Sequence, residues 1–192
     1  MADLRLLTRR DFLLAAGAAA ATPAALALTR RIVGHADIAA IPADVKIVEF
    51  TDAGVRKGVV TVPKVAKSDD VWKAQLHSDL AFAVARKGGT ERPFSGAYWN
   101  EHRKGLFRCL CCDTALFSSA AKFDSGTGWP SYWEPIAEEN VKHGEPSGGM
   151  TASEVTCRRC DAHLGDLFDD GPKPTGLRYC IDSISLKFVP AS

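Results

Sequence analysis

The stretch "VTCRRCDAHLGDLF", Val155–Phe168, contains a C-x-x-C pair at Cys157 and Cys160. A second pair, Cys109 and Cys112, lies far enough upstream to come from another hairpin. Two such knuckles supply four thiolates, and a closed tetrahedral Zn²⁺ site needs four ligands. The competing pairing is two disulfides, which an oxidising compartment favours. From Gly105 onward the chain reads as short apolar runs separated by Gly, Pro, Ser and Asp, the texture of short strands and loops. Turn signals are strongest in "DSGTGWPSYWEP" (Asp124–Pro135) and "DDGPKPTG" (Asp169–Gly176). The paired cysteine motifs are the only internal repeat, and the expected product is one mainly β domain.

Upstream of this region, "DVKIVEF" and "GVRKGVVTV" alternate apolar and polar residues around "TDAG", which predicts a hairpin over Asp44–Val62. Ser68 opens a helical pattern, with Asp69 and Asp70 favourable in the first turn and Val71, Ala74 and Leu76 as its apolar positions. Ser78 caps a second short helix through Asp79 to Lys87, which Gly88-Gly89 ends.

A chain of 192 residues suffices for one well-buried domain without disulfides. The first residues stand apart from it. Arg5, Arg9 and Arg10 precede an Ala/Leu-rich run, Leu13 to Leu28, with a small-residue Ala25-Leu26-Ala27 pattern near its end. "TRRDFLL" (Thr8–Leu14) resembles the twin-arginine signal, which implies export of a folded protein, and therefore metal loading before export. The expected organisation is a signal peptide over 1–27, a linker and hairpin over 28–67, and the main domain over 68–192, ending in the periplasm of a bacterium. The run is too short for a permanent membrane span and contains Thr22 and Pro23. Removing 1–27 takes Arg5, Arg9, Arg10, Asp3 and Asp11 from totals of 24 basic and 23 acidic residues, leaving 21 of each. That balance gives no reason to expect nucleic-acid binding.

Subtracting four metal ligands from six cysteines leaves Cys111 and Cys180. Cys111 sits inside the first knuckle and reads as a filler. In "RYCIDSIS" (Arg178–Ser185), strand alternation places Arg178, Cys180, Asp182, Ile184, Leu186 and Phe188 on one face. An arginine there would lower the thiol pKa. The residues alone leave Cys180 either a core thiol or a nucleophile.

"ERPFSGAYWNEHRKGLFRC" (Glu91–Cys109), "LFSSAAKFDSGTGWPSYWEPI" (Leu116–Ile136) and "SEVTCRRCDAHLGDLFDDGPKPTGLRYCIDSISLKF" (Ser153–Phe188) together resemble the methionine-R-sulfoxide reductases of the B type. The likeness runs from about Ser68 to Phe188. It implies two antiparallel sheets braced by zinc on Cys109, Cys112, Cys157 and Cys160, with short N-terminal helices. It makes Cys180 the nucleophile, Trp129 the wall against the substrate methyl group, and His163 a polar residue that orients the sulfoxide oxygen or a water. Asp166 and Asp182 fall where many members carry histidine and asparagine, and both join the expected catalytic set, with Arg178 beside the substrate. An ionised Asp182 would oppose thiol ionisation, whereas a protonated one could donate to the sulfoxide oxygen.

Attack would leave Cys180 as a sulfenic acid. Many members carry a resolving cysteine where this chain has Thr127, so regeneration is expected to use an external thiol donor of thioredoxin type, or else a disulfide with Cys111. The implied partners are oxidised proteins bearing methionine sulfoxide, that donor, and the export machinery. Two other classes stay open: a zinc-folded binding module, and a thiol-disulfide oxidoreductase using a knuckle C-x-x-C.

Overall fold

The computed structural model describes residues 43–146 and 152–191, so the export signal expected over 1–27 lies outside the described residues. The expected hairpin is present. β1 (Asp44–Phe50) and β2 (Arg56–Pro63) pair antiparallel, with Val48 opposite Val59. The reversal passes through Gly54 at a φ of +79°, a conformation that glycine adopts without a Cβ clash.

Two short helices follow, α1 (Asp69–Leu76) and α2 (Asp79–Lys87). Ser78 Oγ accepts the Ala81 N–H at 3.2 Å, and Gly88 ends α2 in the left-handed region. The buried face of α1 differs from the apolar positions expected for it. Trp72 is 1% exposed, whereas Val71 is 49% exposed and Ala74 is exposed too. Arg86 and Lys67 stand over the Trp72 ring at 4.6 and 4.8 Å from its centre. In so short a helix one large aromatic outweighs two small apolar residues in choosing the buried side.

The remaining strands are β3 (Gly105–Cys109), β4 (Ala115–Ser118), β5 (Lys122–Phe123), β6 (Ser131–Tyr132), β7 (Val141–Pro146), β8 (Ser153–Cys157), β9 (His163–Phe168), β10 (Arg178–Ile181) and β11 (Leu186–Pro190). They form two antiparallel sheets, one of six strands in the order β5-β6-β10-β9-β8-β7 and one of three in the order β11-β3-β4. Aromatic rings join them. Phe117 of β4 stacks on Tyr132 of β6 with ring centres 4.4 Å apart, and Phe107 of β3 meets the same ring edge-on at 5.3 Å. The architecture is mainly β with two helices, as the sequence implied.

The continuous face expected from Arg178 to Phe188 does not form. β10 ends at Ile181, a tight turn takes up Ser183–Ser185, and Leu186 starts β11 in the other sheet. Within β10, Tyr179 and Ile181 enter the core while Arg178 and Cys180 point away from it. Cys180 therefore does not share a core face with Leu186.

Asn140, fully buried, ties the hairpin to the body. Its Oδ1 accepts the Val48 N–H at 2.7 Å, and its Nδ2 donates to Val48 O at 2.9 Å and Ala115 O at 2.7 Å. Asn140→Ala would leave three buried backbone groups without partners. We expect a loss of about 2–4 kcal/mol in urea unfolding, together with faster amide exchange in β1.

Candidate active site

Strand register assembles the site. Cys180 of β10 lies opposite Asp166 of β9 and Ser131 of β6, and Asp166 lies opposite Glu154 of β8. Directly paired residues share a sheet face, so Glu154, Asp166, Cys180 and Ser131 form one row across four strands. Gly165 makes this pairing possible. It sits at φ +147°, and a Cβ there would lie 2.1 Å from the Cys180 carbonyl oxygen.

Over this row opens a cleft of about 160 Å³, walled by Thr90, Trp129, Gly165, Asp166, Phe168, Cys180 and Asp182. A cleft of about 370 Å³ near Leu106 and another beside Leu186 have no thiol on their walls. Cys180, Trp129, Asp166 and Asp182 thus come together in one cavity. His163 stands behind the wall. Its Nδ1 donates to Glu154 Oε1 at 2.7 Å, and its Nε2 lies 3.7 Å from Asp182 Oδ2, beyond hydrogen-bond length. Arg178 does not line the cleft. Its Nε and Nη2 donate to Asp170 at 2.7 and 2.8 Å, and its guanidinium lies 4.2 Å from the centre of the Phe168 ring.

Three of these features lacked a sequence signal. Glu154 and Asp170 belong to no chemical motif, yet each holds a basic side chain of the site, through strand register in one case and loop closure in the other. Glu91 is the third. Its carboxylate is 4% exposed and accepts the Ser183 N–H at 2.5 Å and the Ile184 N–H at 3.1 Å. Its own N–H donates to Asp182 Oδ1 at 2.9 Å, and its carbonyl accepts Trp129 Nε1 at 3.2 Å. One residue from outside both sheets therefore positions two walls of the cleft. Its place at the start of the "ERPFSG" stretch was the only hint.

Burial pushes the Cys180 thiol above its ordinary range; Thr127, with Oγ1 3.9 Å from Sγ, and the Arg178 charge pull it down, while Asp182 and Asp166 push it further up. Arg178 pulls the thiol pKa down, as expected, and desolvation outweighs that pull. Burial likewise raises Asp182 to about 6 and raises Asp166, with Glu154 acting in the same direction on Asp166 and His163 opposing. At pH 7 about a tenth of Asp182 carries its proton.

Away from the cleft, Cys109, Cys112, Cys157 and Cys160 bring their sulfurs within 4.8 Å of one another. The close contacts run between knuckles, Cys109 to Cys160 at 3.6 Å and Cys112 to Cys157 at 3.5 Å. A disulfide needs about 2.05 Å, and all six cysteines are free. Sulfurs at about 2.3 Å from a tetrahedral zinc lie about 3.8 Å apart, so this donor set fits such an ion.

Fold and site define a mainly β protein with a cluster of four cysteines placed to hold a metal and a separate cleft thiol. Residues 77–190 match the SelR domain, and the chain belongs to that family. It is 54% identical over 126 residues to a peptide methionine sulfoxide reductase MsrB of Herminiimonas arsenicoxydans, covering 65% of this chain and 91% of the relative. The protein of the same name from Thioalkalivibrio sulfidiphilus is 57% identical over 125 residues, 65% of this chain and 90% of that one. That of Agrobacterium fabrum is 51% identical over 132 residues, 68% and 97% respectively.

The raised Asp182 sets a pH signature on stability. The folded state holds the proton up to about pH 6, whereas the unfolded chain releases it near 3.8. The native state binds more protons in this window, so this group's contribution to stability falls as pH rises from 4 through 6. Asp182→Asn keeps an acceptor for the Glu91 N–H and removes the titration. Its stability relative to the wild type should rise by about 2 kcal/mol between pH 4 and 7 in chemical denaturation.

Proposed function

We propose that this chain reduces the R epimer of methionine sulfoxide in oxidised proteins, with Cys180 as the nucleophile. The observation that carries the reading is the cleft itself, in a chain of the SelR family: a partly exposed thiol beside two carboxyl groups, both shifted toward protonation by burial, and an indole wall. A sulfoxide is a poor electrophile until its oxygen is protonated, and these groups answer that need. The choice of epimer rests on the family resemblance.

The Cys180 thiolate attacks the sulfoxide sulfur while the Asp182 carboxyl, with Asp166 beside it, gives a proton to the oxygen. The attack forms a sulfur–sulfur bond, and the hydroxyl then passes from the methionine sulfur to the cysteine sulfur as the sulfur–oxygen and sulfur–sulfur bonds break. Methionine leaves reduced by two electrons, and Cys180 becomes a sulfenic acid oxidised by two. Trp129 packs against the substrate methyl group. His163, held by Glu154, orients Asp182 or a water next to it. Arg178 acts through charge and through the Phe168 ring that it backs.

Two thiols of an external donor of thioredoxin type return the sulfenic acid to thiol, releasing water and the donor disulfide. Thr127, within 3.9 Å of the thiol, has no sulfur to intercept it. Cys111 is 4% exposed, lies in the first knuckle and is absent from the cleft walls, which supports the external route. The four knuckle cysteines would hold zinc in a structural part, since four protein ligands would leave no position for substrate. Export by a twin-arginine route to the periplasm belongs to the proposal and rests on Arg9, Arg10 and the Ala/Leu run. No described helix is long and apolar enough to cross a membrane.

Turnover of separate R and S epimers of a peptide-bound methionine sulfoxide, with dithiothreitol as reductant, tests the assignment. We expect consumption of the R epimer alone and no turnover by Cys180→Ser. Reduction of the S epimer, or a Cys180→Ser variant that still works, would reject it.

The pH profile tests the roles. Rate follows the product of thiolate and protonated Asp182 fractions, and the acid pKa of about 6 lies below that of the thiol. The value of kcat/KM should rise to about pH 6, stay level up to the thiol pKa, and fall beyond it. In Asp182→Asn the rate should drop, and the plateau should give way to a climb with pH.

A further inference from the structure

Phe94 and Trp99 are exposed aromatic side chains that touch each other. Phe94 is 55% exposed and Trp99 37%, with ring centres 5.3 Å apart in an edge-to-face contact. Exposed apolar surface of this kind on a folded domain marks a contact site more often than chance. Phe94 also adopts φ +61°, a conformation unusual for a bulky residue. The surrounding structure enforces it: the Phe94 N–H donates to Gly128 O at 2.8 Å, and Phe94 and Pro93 pack so closely that a Cβ on Gly128 would meet both at 2.7–2.8 Å.

Gly128 is the residue before Trp129, a wall of the cleft. Phe94 is therefore fastened one residue from a wall of that cavity, and Trp99 is joined to it through their ring contact. At about 160 Å³ the cavity is far smaller than the roughly 300–1,000 Å³ of typical ligand pockets. It admits one side chain, so the polypeptide on either side of that side chain must run over the rim.

We propose that Phe94 and Trp99 form an aromatic lip that receives an apolar residue flanking the methionine sulfoxide in the oxidised polypeptide. The inference rests on the reaction proposed above and adds its sequence preference. Rigid aromatics are effective anchors because they bury a large area at low conformational cost.

The test compares three R-sulfoxide substrates, with dithiothreitol as reductant: blocked single-residue methionine sulfoxide, a peptide with leucine and phenylalanine beside it, and one with serine and asparagine. Variants are Phe94→Gly, which adopts the same φ without strain, and Trp99→Ala. The wild type should show kcat/KM about tenfold higher for the apolar than for the polar peptide, as expected for one aromatic contact. Both variants should lose that difference while keeping the blocked residue's rate within about twofold. A preference retained in both variants overturns the lip, as does a parallel fall for all three substrates. A shift in sedimentation on mutation, with the preference intact, would assign the patch to self-association and overturn it as well. Failure of the wild type to reduce the blocked residue and both peptides would instead count against the underlying reaction.

Discussion

Four sulfur atoms gather where the two sheets meet. Cys109 closes β3 and Cys112 lies in the turn to β4, while Cys157 closes β8 and Cys160 lies in the turn to β9. Two hairpins from different sheets thus meet turn to turn, with inter-knuckle contacts of 3.5 and 3.6 Å. Thiolates packed this closely repel one another unless a cation sits among them, which is why the arrangement suits a divalent metal and would strain without one. One strand of the cleft follows directly from that junction. β9 starts three residues after Cys160 and carries His163, Gly165 and Asp166, so the angle at which the knuckles lock decides where β9 lies and which residue of β10 faces it.

The second constraint is the close approach at Gly165, with no space for a side chain against the Cys180 carbonyl. A shift of register by one residue would turn Cys180 into the core and Tyr179 outward. The buried Tyr179 and Ile181 resist that exchange, and the same alternation that fills the core presents the thiol. Core packing and thiol presentation are therefore two faces of one four-residue strand.

Punctuation was the legible part of the fold. The caps at Ser78 and Gly88, the hairpin around Gly54 and the C-x-x-C spacings act over a few residues, so the sequence states them directly. The site residues Cys180, Trp129, Asp166 and Asp182 were reached through resemblance, and the structure gathers them in one cleft. Strand alternation misled beyond Ile181 because a turn of three residues moves the chain to the other sheet, which no period-2 pattern announces. Trp72 displaced Val71 on α1 for a tertiary reason, the pocket between Arg86 and Lys67. Glu91 was hidden most deeply: its partners Ser183 and Ile184 lie 92 and 93 positions away, and an isolated glutamate beside an arginine reads as surface.

The presence of Asp166 and Asp182 looks unfavourable for a thiolate, since each carboxylate raises the Cys180 pKa. The same burial acts on the acids. Desolvation that delays ionisation of the thiol also raises Asp166 and brings Asp182 to about 6, so at a given pH the cleft loses thiolate and gains acid together. A step needing one thiolate and one proton donor depends on the product of the two populations, and that product is insensitive to pH between the two pKa values. An added negative charge suppresses the thiolate and promotes the protonated acid, so a shift shared by both groups moves the level region along the pH axis and leaves its height and width unchanged.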